Sequence, residues 1–215
     1  MSTLAGSFRG RQDFASCLRD QLAARDAIIE GTGPEVLIMV EHPATLTLGR
    51  RASREDVLWS DERLEAEQVA VCDTPRGGEV TLHAPGQLVA YPIIKVGRQI
   101  RQHIVRMSNV TMALFAELGV EGTEFRMDHP GVWRGETKMA SIGIHVSRGV
   151  TVQGMSINLD VSPQLFGALV SCGMPGIQMT SVAQVNPTAH LAMAQLARRW
   201  AELFARDAGY ELDWS

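Results

Sequence analysis

The chain has 215 residues, 45% apolar and 20% charged, with a formal net charge of −4 from 20 basic and 24 acidic side chains. That length favours a single domain spanning residues 1–215 with a core of its own, and the composition is too apolar for a disordered chain. The acidic balance argues against a nucleic-acid partner, which usually selects a basic excess. No stretch approaches the ~20 apolar residues of a membrane span. Residues Met1 to Arg11 lack the apolar run of a signal peptide. The expected location is therefore the cytoplasm, with no membrane partner. Cys17, Cys72 and Cys172 stand far apart, with no CxxC pair and no HExxH among the histidines. A disulfide framework and a metal site are both poor readings.

In chain order, residues 12–30 predict an amphipathic helix, with Phe14, Leu18, Leu22 and Ile29 near helical spacing and Cys17 on the apolar side. Gly31 and Gly33-Pro34 stop it. The run EVLIMV over 35–40 suits a buried strand, and Thr45–Leu48 a second, followed by a Gly49-Arg50-Arg51 turn. The charged stretch 54–67 reads as a surface helix, and Val69–Cys72 as a strand. Residues 98–119 predict a long helix with Ile100, Ile104, Met107, Leu114 and Leu118 on one face and Gly119 as its cap. Residues 131–160 predict two or three antiparallel strands, from the alternation in MASIGIHVS. A short helix over Leu165–Val170 leads to Ser171-Cys172-Gly173, and a last helix covers about 188–208. Helices dispersed among strand clusters imply an α/β or α+β chain with a mixed, largely antiparallel sheet.

Four features exceed the needs of packing. The first is the run from Arg76 to Leu88, RGGEVTLHAPGQL. Paired glycines let backbone approach a ligand and turn N–H groups toward it, although such a pair is also an ordinary turn. It is neither GxxxxGK[ST] nor GxGxxG. The second is Lys138, at the start of MASIGIHVS, which reads either as an edge-strand charge or as a functional amine. The third is Cys172, in the Gly/Pro-rich loop SCGMPGIQ rather than an apolar periodic run. A loop thiol acts as a nucleophile when its pKa falls below about 8.5, and a lysine ammonium beside it favours the thiolate. The fourth is Gly154-Met155-Ser156-Ile157-Asn158-Leu159, where Gly154 marks a bulge or a close approach.

Taken in order, these segments resemble the octanoyltransferases of lipoate biosynthesis, the lipoyl(octanoyl) transferases. The matching stretches are Glu41-His42-Pro43, Thr47-Leu48-Gly49-Arg50, RGGEVTLHAPGQLVAYP over 76–92, the GVW, TK and SIG runs of 131–159, and Ser171-Cys172-Gly173 with Thr180-Ser181. Together they cover about residues 36–183.

The resemblance implies a mixed sheet flanked by helices, as in the biotin and lipoate protein ligases. It implies transfer of an octanoyl group from octanoyl-acyl carrier protein to a lysine of lipoyl domains. Those acceptors are the E2 subunits of 2-oxoacid dehydrogenases and the H protein of glycine cleavage. By the same resemblance Cys172 carries the acyl group as a thioester, and Lys138 lowers the thiol pKa and assists proton transfer. The acyl-binding segments map onto Arg76, Gly77, Gly78, Glu79, Val80, Thr81, Leu82 and His83, onto Ser141, Ile142 and Gly143, and onto Gly154, Met155 and Ser156. No cofactor is implied, because thioester exchange followed by amide formation runs without ATP.

Two departures stand out. The family's H-G-P-G reads His83-Ala84-Pro85-Gly86 here, and a histidine frequent before Gly154 is Gln153. Gln153 cannot shuttle a proton near neutral pH and is left out of the catalytic set. Two alternatives remain: an ATP-dependent lipoate or biotin ligase of the same fold, and an inactive module that binds acyl carrier or lipoyl domains. A monomer is expected, since no segment reads as a spare apolar interface.

Overall fold

The computed structural model of the chain describes residues 2–170 and 177–215. Its elements are β1 (Ser2–Arg11), α1 (Phe14–Glu30), β2 (Val36–Glu41), β3 (Thr45–Leu48), α2 (Asp61–Ala66), β4 (Ala70–Asp73), β5 (Val80–His83), β6 (Gln87–Ile93), α3 (Ile100–Glu117), β7 (Thr123–Arg126), β8 (Gly131–Arg134), β9 (Thr137–Ser147), β10 (Val150–Asn158), β11 (Gln178–Met179), α4 (Val182–Val185), α5 (Met193–Ala208) and β12 (Tyr210–Trp214). Short 3-10 turns cover Arg54–Asp56 and Pro163–Ala168.

Among the described residues the main sheet runs β12-β1-β2-β6-β10-β9-β8-β7, with β11 added against β9, and β4-β3-β5 form a second, smaller sheet. The main sheet is antiparallel from β2 to β7 and parallel at β1–β2, β1–β12 and β11–β9. The mixed, largely antiparallel sheet flanked by helices is the one expected from sequence.

The central strands are continuous apolar runs because both faces of the sheet are covered. Along β2, Leu37 and Met39 enter the core beneath α3 and α5, while Ile38 and Val40 face the core that holds Cys17 and Ile28 of α1. The same alternation divides Leu88 and Ala90 of β6 from Val89, Tyr91 and Ile93. The small sheet has its own core of Leu46, Val80 and Leu82 with Trp59, Leu64 and Leu169. Ala84 is fully buried there and is not among the residues with positive φ, so the extra methyl fills space without strain.

Helix boundaries follow the caps. Asp13 accepts from Ser16 N at 2.8 Å and starts α1, and Gly31, in the left-handed region at φ 74°, closes it. β1, β6, β7, β11 and β12 were not read as strands in the sequence. β1, β7 and β12 lie toward the sheet's edges, and the parallel β1–β12 pair joins the two ends of the chain, so no local turn announces it. The 188–208 helix begins later, at Met193, with the short α4 before it. Among the described residues no helix is long and apolar enough to cross a membrane.

His103 is among the buried groups that are poorly served. His103 of α3 is buried edge-on to Phe204 of α5, ring centroids 6.1 Å apart, and neither ring nitrogen has a hydrogen-bond partner. Burial first, and the charge of Arg106 second, lower its pKa to about 4. An unfolded histidine titrates near about 6.5, so the unfolded chain takes up this proton first. The stability linked to His103 is therefore complete above about pH 6.5 and declines as pH falls toward 4. Replacing such a group by an apolar one of similar shape is neutral or favourable. We expect His103→Leu to raise unfolding stability by about 1 kcal/mol at pH 7 and to flatten its loss between pH 6.5 and 4.5. Urea unfolding at the two pH values checks this; lower stability at both would refute it.

Candidate active site

The site is assembled where the two sheets meet. The loop from Arg76 to Gly78 folds back onto the turn after β3. Gly49 N donates to Glu79 O at 3.2 Å, Arg50 N to Arg76 O at 3.1 Å, and Arg51 N to Gly78 O at 3.1 Å. A Cβ at Gly49 would stand 2.2 Å from Gly78 O, so only glycine permits this approach. The guanidinium of Arg76, buried, clamps the fold-back: its Nη2 donates to Thr47 O at 2.6 Å and to Thr47 Oγ1 at 2.8 Å. Gly77 N donates to Ile144 O at 3.3 Å, which ties the loop to β9.

Between this loop, β9, the first turns of α3 and the β7–β8 turn lies a cavity of about 320 Å³. Its walls include Arg76, Gly77, Gly78, Glu79, Val80 and Thr81 on one side and Lys138, Ser141, Ile142, Gly143 and Ile144 on the other. A narrower recess of about 30 Å³ shares Arg76, Thr81, Ser141, Ile142 and Gly143 with it and adds His83, Gly154, Met155 and Ser156. A third, smaller recess brings Leu82 together with Phe166, Leu169 and Met179. Every acyl-segment residue expected from sequence thus lines one of three adjoining spaces. Sequence reasoning missed Ile104, Asp128, His129 and Pro130, which line the main cavity from α3 and the β7–β8 turn. The DHP run before the GVW strand was the one local hint for three of them.

Lys138 is not an edge residue. Its strand lies between β8 and β10, and the side chain is 2% exposed. The stem crosses β8 where there is no side chain, since a Cβ at Gly131 would lie 2.5 Å from Lys138 Cε. The ammonium sits 5.3 Å from the centroid of the Trp133 ring, a cation–π distance. Trp133, whose ring also carries Arg126 at 4.9 Å, donates its Nε1–H to His129 O at 3.2 Å. Cys172, the expected nucleophile, lies outside the described residues. Further along the chain, Met179 of β11 is the register partner of Lys138, and Thr180 N donates to Lys138 O at 3.0 Å.

The polar residues beneath the cavity are held neutral. His42 has Nδ1 at 2.7 Å from Gln12 O and Nε2 at 2.9 Å from Tyr91 Oη, so Nδ1 donates and Nε2 accepts. Burial lowers its pKa. His83 stacks on Phe14, and its Nδ1 bonds Gln87 Oε1 at 2.8 Å. Burial, then neighbouring His42, lowers its pKa to about 3. Gln153 has φ 64° in mid-strand. Its N–H donates to Gln21 Oε1 of α1 at 2.9 Å, and its Nε2 donates to Thr74 Oγ1. It ties β10 to α1 and to Thr74. Cys17 is packed, and burial raises its pKa to about 11, an inert thiol. Among the described residues no cluster of three or more His, Cys, Asp or Glu is arranged to hold a metal.

The model of the lipoyl protein ligase A/B catalytic domain matches residues 18–205, and that defines the class. An octanoyltransferase of Solibacter usitatus is 36% identical over 208 residues, 94% of this chain and 92% of its own. One of Syntrophotalea carbinolica is 39% identical over 188 residues, 86% of this chain and 84% of its own. In fold the chain is similar to a lipoate-protein ligase A bound with ATP, with TM-score 0.73, 12% identity and coverage of 100% of this chain and 89% of that one. Within the class, the chain belongs to the octanoyltransferase family and is an acyltransferase with an octanoyl-transfer role in lipoylation.

Gly131 makes room for the lysine. A Cβ there meets Lys138 Cε and stands 2.2 Å from Ala140 O. We expect Gly131→Ala to cost about 1–3 kcal/mol of stability through overpacking and to lower octanoyl transfer by the folded fraction at least tenfold. Thermal unfolding and a transfer assay normalised to folded protein check both, and wild-type transfer per folded molecule would refute the role.

Proposed function

We propose that this chain, acting as one catalytic domain, moves an octanoyl group from octanoyl-acyl carrier protein to a lysine of a lipoyl domain, through a thioester on Cys172. The observation that carries the reading is the placement of Lys138. A buried amine lines the cavity, and the strand paired to it, β11, continues the same SCGMPGIQMT run that bears Cys172. Leu169 before Cys172 and Met179 after it both face the recess beside that cavity, which supports a cysteine at its edge.

In the first step the Cys172 thiolate attacks the donor's carbonyl carbon. The C–S bond to the carrier breaks and the carrier leaves as its thiol, taking up a proton. In the second, the acceptor lysine gives up a proton, attacks the enzyme thioester, and leaves an amide and free Cys172. Both proton movements pass through Lys138: as an ammonium it stabilises the thiolate, and as an amine it receives the acceptor's proton. A backbone N–H from the Gly77-Gly78 loop is the candidate donor to the oxyanion. The acyl chain occupies the cavity between the RGG loop and β9. At about 320 Å³ this is at the small end of ligand sites, and each buried methylene contributes about 0.8 kcal/mol. Covalent storage lets two protein partners use one site in turn.

The test is intact-protein mass spectrometry after mixing with octanoyl-acyl carrier protein in the absence of ATP. We expect one octanoyl adduct, removed by hydroxylamine, absent from Cys172→Ser, and passed to a lipoyl domain on its addition. Lys138→Met should slow transfer by a factor of about 100 or more. No adduct from an active carrier, or transfer from free octanoate that requires ATP, would overturn the reading.

A further inference from the structure

Buried polar groups form one hydrogen-bonded line from the inner recess to the strand of Lys138. His83 Nδ1 lies 2.8 Å from Gln87 Oε1. Gln87 Nε2 donates to Leu82 O at 3.2 Å and to Asn158 Oδ1 at 3.0 Å. Asn158 Nδ2 donates to Thr180 O at 3.1 Å. Thr180 N donates to Lys138 O at 3.0 Å.

Two main-chain carbonyls fix the sense of every link. Leu82 O and Thr180 O only accept, so each amide must turn its nitrogen toward them. Gln87 then presents its oxygen to His83, whose Nδ1 carries the proton. With a pKa lowered by burial to about 3, His83 keeps that neutral form throughout the working range. No member can turn round without leaving buried groups unpaired.

The line ends at the one join where the catalytic strand changes neighbours. β10 pairs with β9 as far as Ile157 opposite Ala140. Asn158 is the last residue of β10 and is 1% exposed. Beyond it β11 takes over that side of β9, with Met179 opposite Lys138. β11 has only two residues, so its own ladder holds it weakly. Thr180 supplies the rest, with its N–H on Lys138 and its carbonyl on Asn158.

We infer that Asn158 is a positioning residue for Lys138. It acts through the main chain of Thr180 and holds β11 against the lysine's strand while the cavity is used. This rests on the catalytic reading of Lys138 given above. Asn158 touches neither substrate nor the ammonium; what it sets is the register and spacing of the strand pair in which the lysine stands. Misplacement of a catalytic group by about 1 Å costs on the order of 100-fold in rate, so loss of this link should appear in turnover rather than in donor binding.

Asn158→Asp keeps the acceptor for Gln87 but turns an acceptor toward Thr180 O, and Asn158→Leu removes both links. In the unliganded protein, exchange of the Thr180 amide followed by NMR should be at least tenfold faster in either variant. For octanoyl transfer from octanoyl-acyl carrier protein, kcat per folded molecule should fall by about 10- to 100-fold, with KM for the donor within about twofold. Thr151→Val, which removes a buried 2.6 Å hydrogen bond to Pro92 O from the other end of β10, should leave both readouts unchanged. Unaltered Thr180 protection, or unaltered kcat in both Asn158 variants, or a rise confined to KM, would overturn the inference. A wild-type protein that transfers no octanoyl group would sink the catalytic reading instead. The Thr180 exchange then decides the positioning claim by itself.

Discussion

Putting a lysine inside a sheet is the constraint around which this molecule is built. An ammonium withdrawn from water is costly unless its surroundings supply partners. Each surrounding of Lys138 answers a part of that cost. Gly131 leaves out a side chain so that the stem can cross the neighbouring strand, and the face of Trp133 receives the charge at 5.3 Å. β11 replaces β10 on the other side. None of these is a generous packing solution. A methyl on Gly131 would collide with both the lysine and a carbonyl, and a two-residue strand has little stability of its own. Such local concessions are expected where position matters more than stability.

The large sheet can make these concessions because its centre is secure. β2, β6 and β10 bury both faces, one against α3 and α5 and the other against α1. β6 aside, these central strands carry the apolar runs that periodicity detects, so they and the three long helices were legible from the residues alone. β1, β7 and β12 were not. SFRGR and YELDW are half-exposed and weakly apolar, and the partner that makes each a strand is distant in sequence. Propensity cannot report a pairing between the first and last strands of the chain.

The site was legible to a different degree. The RGG run and the two small-residue stretches on β9 and β10 could be singled out as places where backbone comes close, and they line adjoining spaces. What pattern could not supply was the role of each polar atom. Arg76 reads in the sequence as part of a binding loop beside glycines. Folded, its Nη2 goes to Thr47 and locks the loop on which the glycines sit. Lys138 was ambiguous between edge charge and site residue until its strand was seen to be internal. Ile104 gave no signal, because it reaches the cavity only through the packing of α3.

This use of polar residues bears on how the narrow inner recess, lined by Arg76, Thr81, His83, Ser141, Gln153 and Ser156, comes to have a largely apolar surface. An aliphatic chain gains from leaving water only if the walls it meets make no competing demand for hydrogen bonds. Here several of the demands are met from within the protein. Arg76 is engaged by Thr47, His83 Nδ1 by Gln87, His42 by Gln12 and Tyr91, and the Gln153 N–H by Gln21. The two histidines are kept uncharged by burial. The motif residues therefore present mainly carbon surface to the narrow inner recess. The same bonds also fasten it to α1, to the small sheet and, through Asn158, to the lysine's strand. A polar signature can thus line a largely apolar recess when much of its polarity is spent on holding the recess in place.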